Sequence, residues 1–108
     1  MHGTGIAGLT AALELEPLRV VVLSKGTLAD GSTPWAQGGI AAAMGADDSP
    51  AAHATDTLDV GGGLNDTAAV GVLTSEGPGR INDLIELGVG FDRRPDGSLM
   101  LGREAGHD

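Results

Sequence analysis

Cysteine is absent from the 108-residue sequence. Its absence excludes disulfide bonds and thiolate metal sites, and is compatible with a reducing compartment. Aromatic residues are scarce, since only Trp35 and Phe91 occur, so a core must be built from Ala, Val, Leu and Ile. No uninterrupted apolar run approaches the ~20 residues that a membrane-spanning helix requires. We therefore expect a soluble, cytoplasmic protein that does not enter a membrane.

Positive charge is also scarce, and the formal net charge is −9. No Lys or Arg lies between Lys25 and Arg80, whereas that interval contains Asp30, Asp47, Asp48, Asp56, Asp59, Asp66 and Glu76. Such a surface repels nucleic acids and anionic membranes. His2, His53 and His107 are spaced like no known metal-ligand motif, so we expect no metal site.

A glycine motif opens the chain, with Gly3, Gly5 and Gly8 in the spacing G-x-G-x-x-G. The first glycine permits a tight turn, the second lets the backbone approach a pyrophosphate, and the third permits close helix packing. The helix N-terminus then offers N–H groups and the positive end of the helix dipole to an anion. Because the chain is rich in glycine, the motif alone does not distinguish a dinucleotide-binding loop from a plain glycine-rich turn, and the two are equal alternatives.

The residues after the motif predict a helix and then a strand. Ile6, Leu9 and Leu13 recur at helical spacing over residues 5–16, and Pro17 ends the pattern. Residues 19–24 are a β-branched run without polar alternation, as in a parallel strand buried on both faces. Glycine loop, helix and strand form the second half of a βαβ unit, so the predicted fold class is α/β and partially Rossmann-like.

Only Met1 and His2 precede the glycine motif. In a βαβ unit a strand leads directly into the phosphate-binding loop. We therefore expect the sequence to be a fragment whose first strand is missing. We also expect the isolated 108-residue chain to fold poorly, retain little cofactor and be inactive.

The residue that follows the predicted strand bears on the kind of dinucleotide. An NAD site would place Asp or Glu about 20 residues after the glycine loop, to bind the ribose hydroxyls. Ser24 and Lys25 stand there instead, which weakens an NAD assignment. A cationic Lys25 could contact a phosphate or position a nucleotide, and the alternative is an exposed lysine in a turn.

Downstream, capping signals predict three helices and a hairpin. Ser49 and Pro50 begin a helix toward Val60 that ends at three glycines, with the Asp47 and Asp48 pair as a helix-start feature. Residues 65–67 cap a second helix through residue 73, and a third is predicted from residue 78 to a stop at residue 88. Residues 94–98 read as the turn of a small hairpin between residues 91 and 101.

Several ordered blocks resemble the L-aspartate oxidase family, flavoproteins of the succinate dehydrogenase and fumarate reductase superfamily. The most specific block is the run from Ala36 through Gln37, Gly38 and Gly39 to Ile40. The full set of similar blocks comprises residues 4–9, 21–26, 31–33, 35–42, 56–58, 86–89, 91–92 and 103–107. The resemblance therefore covers essentially the whole chain.

The resemblance implies FAD as the cofactor and assigns residues to it. The loop around the pyrophosphate comprises Gly3, Thr4, Gly5, Ile6, Ala7 and Gly8, and Lys25 matches a nucleotide-contacting lysine. The segment that wraps the flavin comprises Ser32, Thr33, Pro34, Trp35, Ala36, Gln37, Gly38 and Gly39. Covalently flavinylated members carry a histidine where this chain has Ser32, so the implied FAD is non-covalent.

The resemblance also implies a substrate-side residue. Glu104 matches a glutamate of the family that lies by the substrate, within Arg103-Glu104-Ala105-Gly106-His107. A carboxylate beside the substrate ammonium favours aspartate over dicarboxylates that lack the amine. Ala105 stands where the family has glycine, and Asp108 where serine is usual.

The activity implied is oxidation of L-aspartate to iminoaspartate, with reoxidation of FAD by O2 or fumarate and hand-off to quinolinate synthase in NAD biosynthesis. No catalytic residue of the family falls in this sequence. The alternatives are a fumarate reductase-like flavoprotein for another dicarboxylate, or an inactive remnant.

We expect residues 1–108 to be a partial FAD-binding domain, with the nucleotide-binding βαβ remnant and flavin-wrapping loop in 1–45. Residues 46–108 then form a helical segment and the start of a substrate-side hairpin.

Overall fold

The structure is a computed structural model that describes residues 3–27, 29–30, 33–35 and 38–102. The chain divides into two compact units, Met1–Gly39 and Ile40–Asp108. None of the helices in these described ranges has both the length and the apolar character needed to cross a membrane.

The first unit contains helix α1, Ile6–Glu14, and a short 3-10 helix, Thr33–Trp35. The predicted helix after the glycine motif is thus confirmed, and it ends before Pro17. Its apolar stripe remains partly exposed, at 49% for Ile6 and 59% for Leu13.

The prediction of a doubly buried strand at residues 19–24 is wrong for the described residues. The segment is extended, but Val21 is 69% exposed and Leu23 is 59% exposed. A strand is stabilised by a ladder of neighbours on both sides. Gly3 N donates to Leu23 O at 2.9 Å, and Leu23 is an isolated bridge residue rather than part of a continuous strand in the described residues.

The second unit is organised by two helices that pack against each other, α2, Pro50–Val60, and α3, Thr67–Glu86. The predicted bounds of α2 are confirmed, and so are both N-terminal caps. Ser49 Oγ accepts a hydrogen bond from Ala52 N at 3.1 Å, and Asp66 Oδ1 accepts one from Ala69 N at 2.9 Å. Each cap satisfies an N–H group that has no partner within its helix. Among the described residues of this unit, those buried are Ala43, His53, Val70, Thr74 and Ile81.

The predicted break in α3 at Pro78 is wrong, because the helix runs through Pro78 without interruption. Proline within a helix costs about 3 kcal/mol through a lost hydrogen bond and a clash with the carbonyl four residues earlier. However, Val70, Thr74 and Ile81 fall on one side at helical spacing and are all buried. Burial of that continuous stripe offsets the cost of the proline.

The predicted stop of α3 at Gly88 is confirmed by its hydrogen bonds. Gly88 has φ +94°, which is the left-handed conformation that glycine adopts without strain. Val89 N donates to Leu84 O at 3.0 Å and Gly88 N donates to Ile85 O at 3.0 Å. This pair of bonds is a Schellman motif, which satisfies carbonyls at the end of the helix.

Replacement of Gly88 by alanine is expected to lower the free energy of unfolding by about 1 kcal/mol, because a Cβ is strained at positive φ. Gly90→Ala is the matched control, since Gly90 has no positive φ and open space around it. Chemical denaturation of the two variants measures the difference. Equal stability of both would contradict the assigned role of Gly88.

A tight turn lies near the end of the described chain. Arg93 and Leu99 form an isolated antiparallel bridge, and Arg94 N donates to Ser98 O at 2.8 Å. Gly97 has φ +87°, and Arg93 Nη1 donates to Gly97 O at 2.7 Å. The turn that the sequence predicted is present, whereas regular strands on either side of it are not assigned in the described residues.

Asp96 accepts hydrogen bonds within the turn. Ser98 Oγ and Ser98 N donate to Asp96 Oδ1 at 2.6 and 2.9 Å, and these bonds hold the pKa of Asp96 below its ordinary value. A carboxyl whose folded pKa is depressed stabilises the fold above its unfolded pKa, and this contribution is lost as the pH falls through the folded pKa. Acidification is therefore expected to loosen the turn.

An NMR titration of the Ser98 amide proton measures the protonation of Asp96 and the accompanying loosening of the turn. Its midpoint should lie below the value of about 3.9 for a free aspartate, and Asp96→Asn should abolish the transition. A midpoint at or above the ordinary value would contradict the assigned hydrogen bonds.

Candidate functional site

The glycine motif forms a tight turn directly before α1. Gly3 has φ +109°, a conformation that favours glycine. Thr4 is 7% exposed, and Gly5 is the N-terminal cap residue of α1 with φ −73° and ψ 172°. The first backbone hydrogen bond of the helix runs from Leu9 N to Gly5 O at 3.1 Å.

Gly8 has a specific packing reason to be glycine. A Cβ built there would clash with Gly3 O, and it would lie 3.2 Å from Gly3 C. The helix therefore lies directly against the incoming turn. This close approach is the role expected of the third glycine of the motif.

The start of α1 is suited to an anion. The cap residue Gly5 has no side chain and makes no side-chain cap, in contrast to Ser49 of α2 and Asp66 of α3. The amide groups of the first turn, including those of Ala7 and Gly8, lie at the positive end of the helix dipole. This arrangement of backbone donors without a capping carboxylate fits a pyrophosphate.

Lys25 is placed near this turn by the backbone. The hydrogen bond from Gly3 N to Leu23 O, 2.9 Å long, holds the start of the glycine motif beside the end of the extended segment. Lys25 follows Leu23 by two residues and is exposed. The structure thus brings together two of the elements that the sequence singled out, the glycine motif and Lys25.

The loop around Lys25 is closed by Asp30, which sequence reasoning did not select. Thr27 N donates to Asp30 Oδ2 at 2.7 Å, and Asp30 N donates to Thr27 O at 3.2 Å. A Cβ built on Gly26 would clash with the same carboxylate. Ser24 Oγ also donates to Thr27 O at 3.3 Å. A glycine followed at short range by aspartate is a turn signal that could have predicted this.

The segment predicted to wrap the flavin is described in part. The 3-10 helix contains Pro34 and Trp35, and Trp35 is 82% exposed. Gly38 has φ +84°, and a Cβ on Gly38 or Gly39 would meet nothing within 4 Å. Both glycines therefore present bare backbone. Ser32, Ala36, Gln37, Glu104 and His107 lie outside the described residues.

Comparison with known proteins identifies the family. The model of the FAD binding domain matches residues 2–108. An L-aspartate oxidase of Streptomyces coelicolor is 53% identical over 107 residues, which cover 97% of this chain and 18% of that protein. An L-aspartate oxidase of Caulobacter vibrioides is 51% identical over 97% of this chain and 21% of its own length. One from Nostoc is 49% identical over 97% of this chain and 18% of its own length.

This chain spans about a fifth of the length of these curated relatives. The family match, in contrast, extends over nearly every residue of the chain. Two features of the structure agree with this family match. Gly8 lies directly against Gly3 in the glycine turn, and the cap residue of α1, Gly5, has no side chain, so the helix start presents backbone donors. The chain belongs to the FAD binding domain family, and FAD is its cofactor.

Proposed function

We propose that the pyrophosphate of FAD binds at the N-terminus of α1, on the turn formed by residues 3–8. Support comes from the positive φ of Gly3, the close approach of Gly8 to the Gly3 carbonyl and a cap residue, Gly5, that has no side chain. Backbone N–H groups of the first turn would donate to the phosphate oxygens. Lys25, at the end of the extended segment, would contribute a positive charge toward the nucleotide.

The flavin ring is assigned to the segment that contains Pro34, Trp35, Gly38 and Gly39. The two glycines leave their backbone open, since no atom lies within 4 Å of a Cβ built on either. Backbone donors close to the ring edge are a means by which proteins tune a flavin. By the family resemblance, the proposed contact with the flavin also includes Ser32, Thr33, Ala36 and Gln37.

The proposed activity of the whole protein is oxidation of L-aspartate to iminoaspartate. The observation that carries it is that relatives 45 to 53% identical over 97% of this chain are L-aspartate oxidases. FAD supplies the acceptor for the hydride that leaves the substrate carbon, and O2 or fumarate takes up the electrons in turn. Glu104 is proposed to lie beside the substrate ammonium.

Reduction of the bound flavin under anaerobic conditions tests this activity. The natural protein, loaded with FAD, should lose its visible flavin absorption on addition of L-aspartate and should keep it with succinate. Glu104→Gln should raise the KM for L-aspartate. Reduction by succinate and not by L-aspartate would favour a fumarate reductase-like flavoprotein and would overturn the proposal.

The FAD is non-covalent, because Ser32 stands where flavinylated relatives have histidine. Acid precipitation should therefore release all flavin into the supernatant, and flavin retained on the polypeptide would contradict non-covalent binding.

The protein is assigned to the cytoplasm, where iminoaspartate would pass to quinolinate synthase.

A further inference from the structure

The Lys25 loop, which runs from Ser24 to Asp30, is folded around Thr27. Thr27 N donates to Asp30 Oδ2 at 2.7 Å. The carbonyl oxygen of Thr27 accepts from Asp30 N at 3.2 Å and from Ser24 Oγ at 3.3 Å. Thr27 is therefore held at both of its backbone polar groups. The bond to the carboxylate is the shortest of the three, and bonds to a charged acceptor are roughly twice as strong as neutral ones.

Gly26 leaves the space that this carboxylate occupies. A Cβ built on Gly26 would clash with Asp30 Oδ2 and would lie 3.1 Å from Asp30 Cγ. The φ of Gly26 is not positive, so its backbone conformation is open to alanine as well. An alanine at this position would therefore push the Asp30 carboxylate away from Thr27 N.

The other end of the Lys25 loop is fixed by the glycine motif. Gly3 N donates to Leu23 O at 2.9 Å, and Lys25 follows two residues later. The glycine motif and Asp30 thus hold the loop at its two ends, and both lie within one compact unit, Met1–Gly39. Lys25 is exposed and its side chain is flexible, so the region it can reach depends on how the backbone of the loop is held.

We propose that Asp30 is a positioning residue for the nucleotide part of FAD, acting through Thr27 on Lys25. Without the bond from Thr27 N the loop would adopt other conformations, and ordering it again would reduce the free energy of binding. The charge of Asp30 alone would repel a pyrophosphate, so the hydrogen bond is its favourable contribution. This role rests on the proposed function, in which Lys25 contributes its charge toward the nucleotide.

Fluorescence titration with FAD of four variants of the natural protein tests this role. Lys25→Ala should weaken binding about tenfold, because it removes a charge-assisted contact. Asp30→Ala should weaken it at least about threefold, as expected for residues that act together. Asp30→Asn should bind FAD like the wild type, since its amide oxygen still accepts from Thr27 N. Glu14→Ala is the matched control, because it removes an exposed acidic side chain of the same unit, and it should also behave like the wild type.

The double variant of Lys25→Ala with Asp30→Ala separates positioning from general support of the fold. If Asp30 acts through Lys25, the double variant should bind FAD as Lys25→Ala does, with no further loss. A merely structural role would make the two losses multiply. Gly26→Ala tests the same hydrogen bond from the other side. It should weaken binding in the wild type and not in Asp30→Ala, where its methyl group no longer meets a carboxylate.

Wild-type or tighter binding by Asp30→Ala, with weak binding by Lys25→Ala, would overturn the inference alone. Equal losses in Asp30→Ala and Asp30→Asn would also overturn it, as would losses that multiply in the double variant. Wild-type binding by Gly26→Ala would overturn it even if Asp30→Ala does not fold.

Wild-type binding by Lys25→Ala would overturn the proposed nucleotide contact, and the inference with it. None of these titrations involves L-aspartate. Failure of the proposed activity is detected separately, by the absence of flavin reduction in the wild type.

Discussion

Replacement of Gly8 by alanine is expected to weaken FAD binding about 100-fold, equivalent to about 2.7 kcal/mol. The added Cβ would clash with Gly3 O. Gly3 is held to the extended segment through its own N–H, which donates to Leu23 O at 2.9 Å. The carbonyl can therefore yield only if the whole turn shifts, and such a shift moves the proposed pyrophosphate site. Forcing atoms into a filled space typically costs 1–3 kcal/mol.

Fluorescence titration of the apoprotein with FAD measures this effect. Gly71→Ala is the matched control, because it makes the same chemical change inside a helix where nothing lies within 4 Å. It should bind FAD like the wild type. Equal affinities of the Gly8 variant and the wild type would mean that the close approach of α1 to the turn is not needed for the cofactor.

Truncation of Ile81 to alanine is expected to lower the free energy of unfolding by about 2–4 kcal/mol. Ile81 is 4% exposed and lies on the face of α3 that also buries Val70 and Thr74. Removal of its outer carbon atoms loses apolar burial and leaves a cavity. Among the described residues of the unit, the other buried apolar side chains are the smaller Ala43 and Val70, so the packing offers little compensation.

Leu73→Ala is the control, because Leu73 lies on the same helix and is 65% exposed. Its replacement removes the same number of carbon atoms, yet it should change stability by less than about 0.5 kcal/mol. Chemical denaturation monitored by circular dichroism compares the two. A similar loss in both variants would contradict the assignment of the buried face of α3.

Features set by nearby residues were predictable from the sequence. The ends of α2 depend on Ser49 and on the glycines that follow Val60, and the end of α3 depends on Gly88. In each case the relevant hydrogen bonds join residues within a few positions of one another. The glycine motif and the start of α1 were predictable for the same reason, since loop and helix are consecutive.

Features set by distant residues were not predictable in this way. Proline favours the first turn of a helix, so Pro78 predicts a helix start, whereas burial of Val70, Thr74 and Ile81 on one stripe keeps the helix continuous. The composition of residues 19–24 predicts a strand, but a strand also requires a ladder of hydrogen bonds to neighbouring strands. The close approach of Ala42 to Gly77, where a built Cβ would lie 3.5 Å from Ala42 Cβ, joins residues far apart in the sequence, and no short motif specifies it.

A crystal structure of the natural protein with FAD would show where the pyrophosphate binds. We expect its oxygens within about 3 Å of backbone N–H groups in the first turn of α1, on the glycine turn of residues 3–8, with the flavin ring beside Gly38 and Gly39. A pyrophosphate bound elsewhere, with no contact to residues 3–8, would contradict this placement.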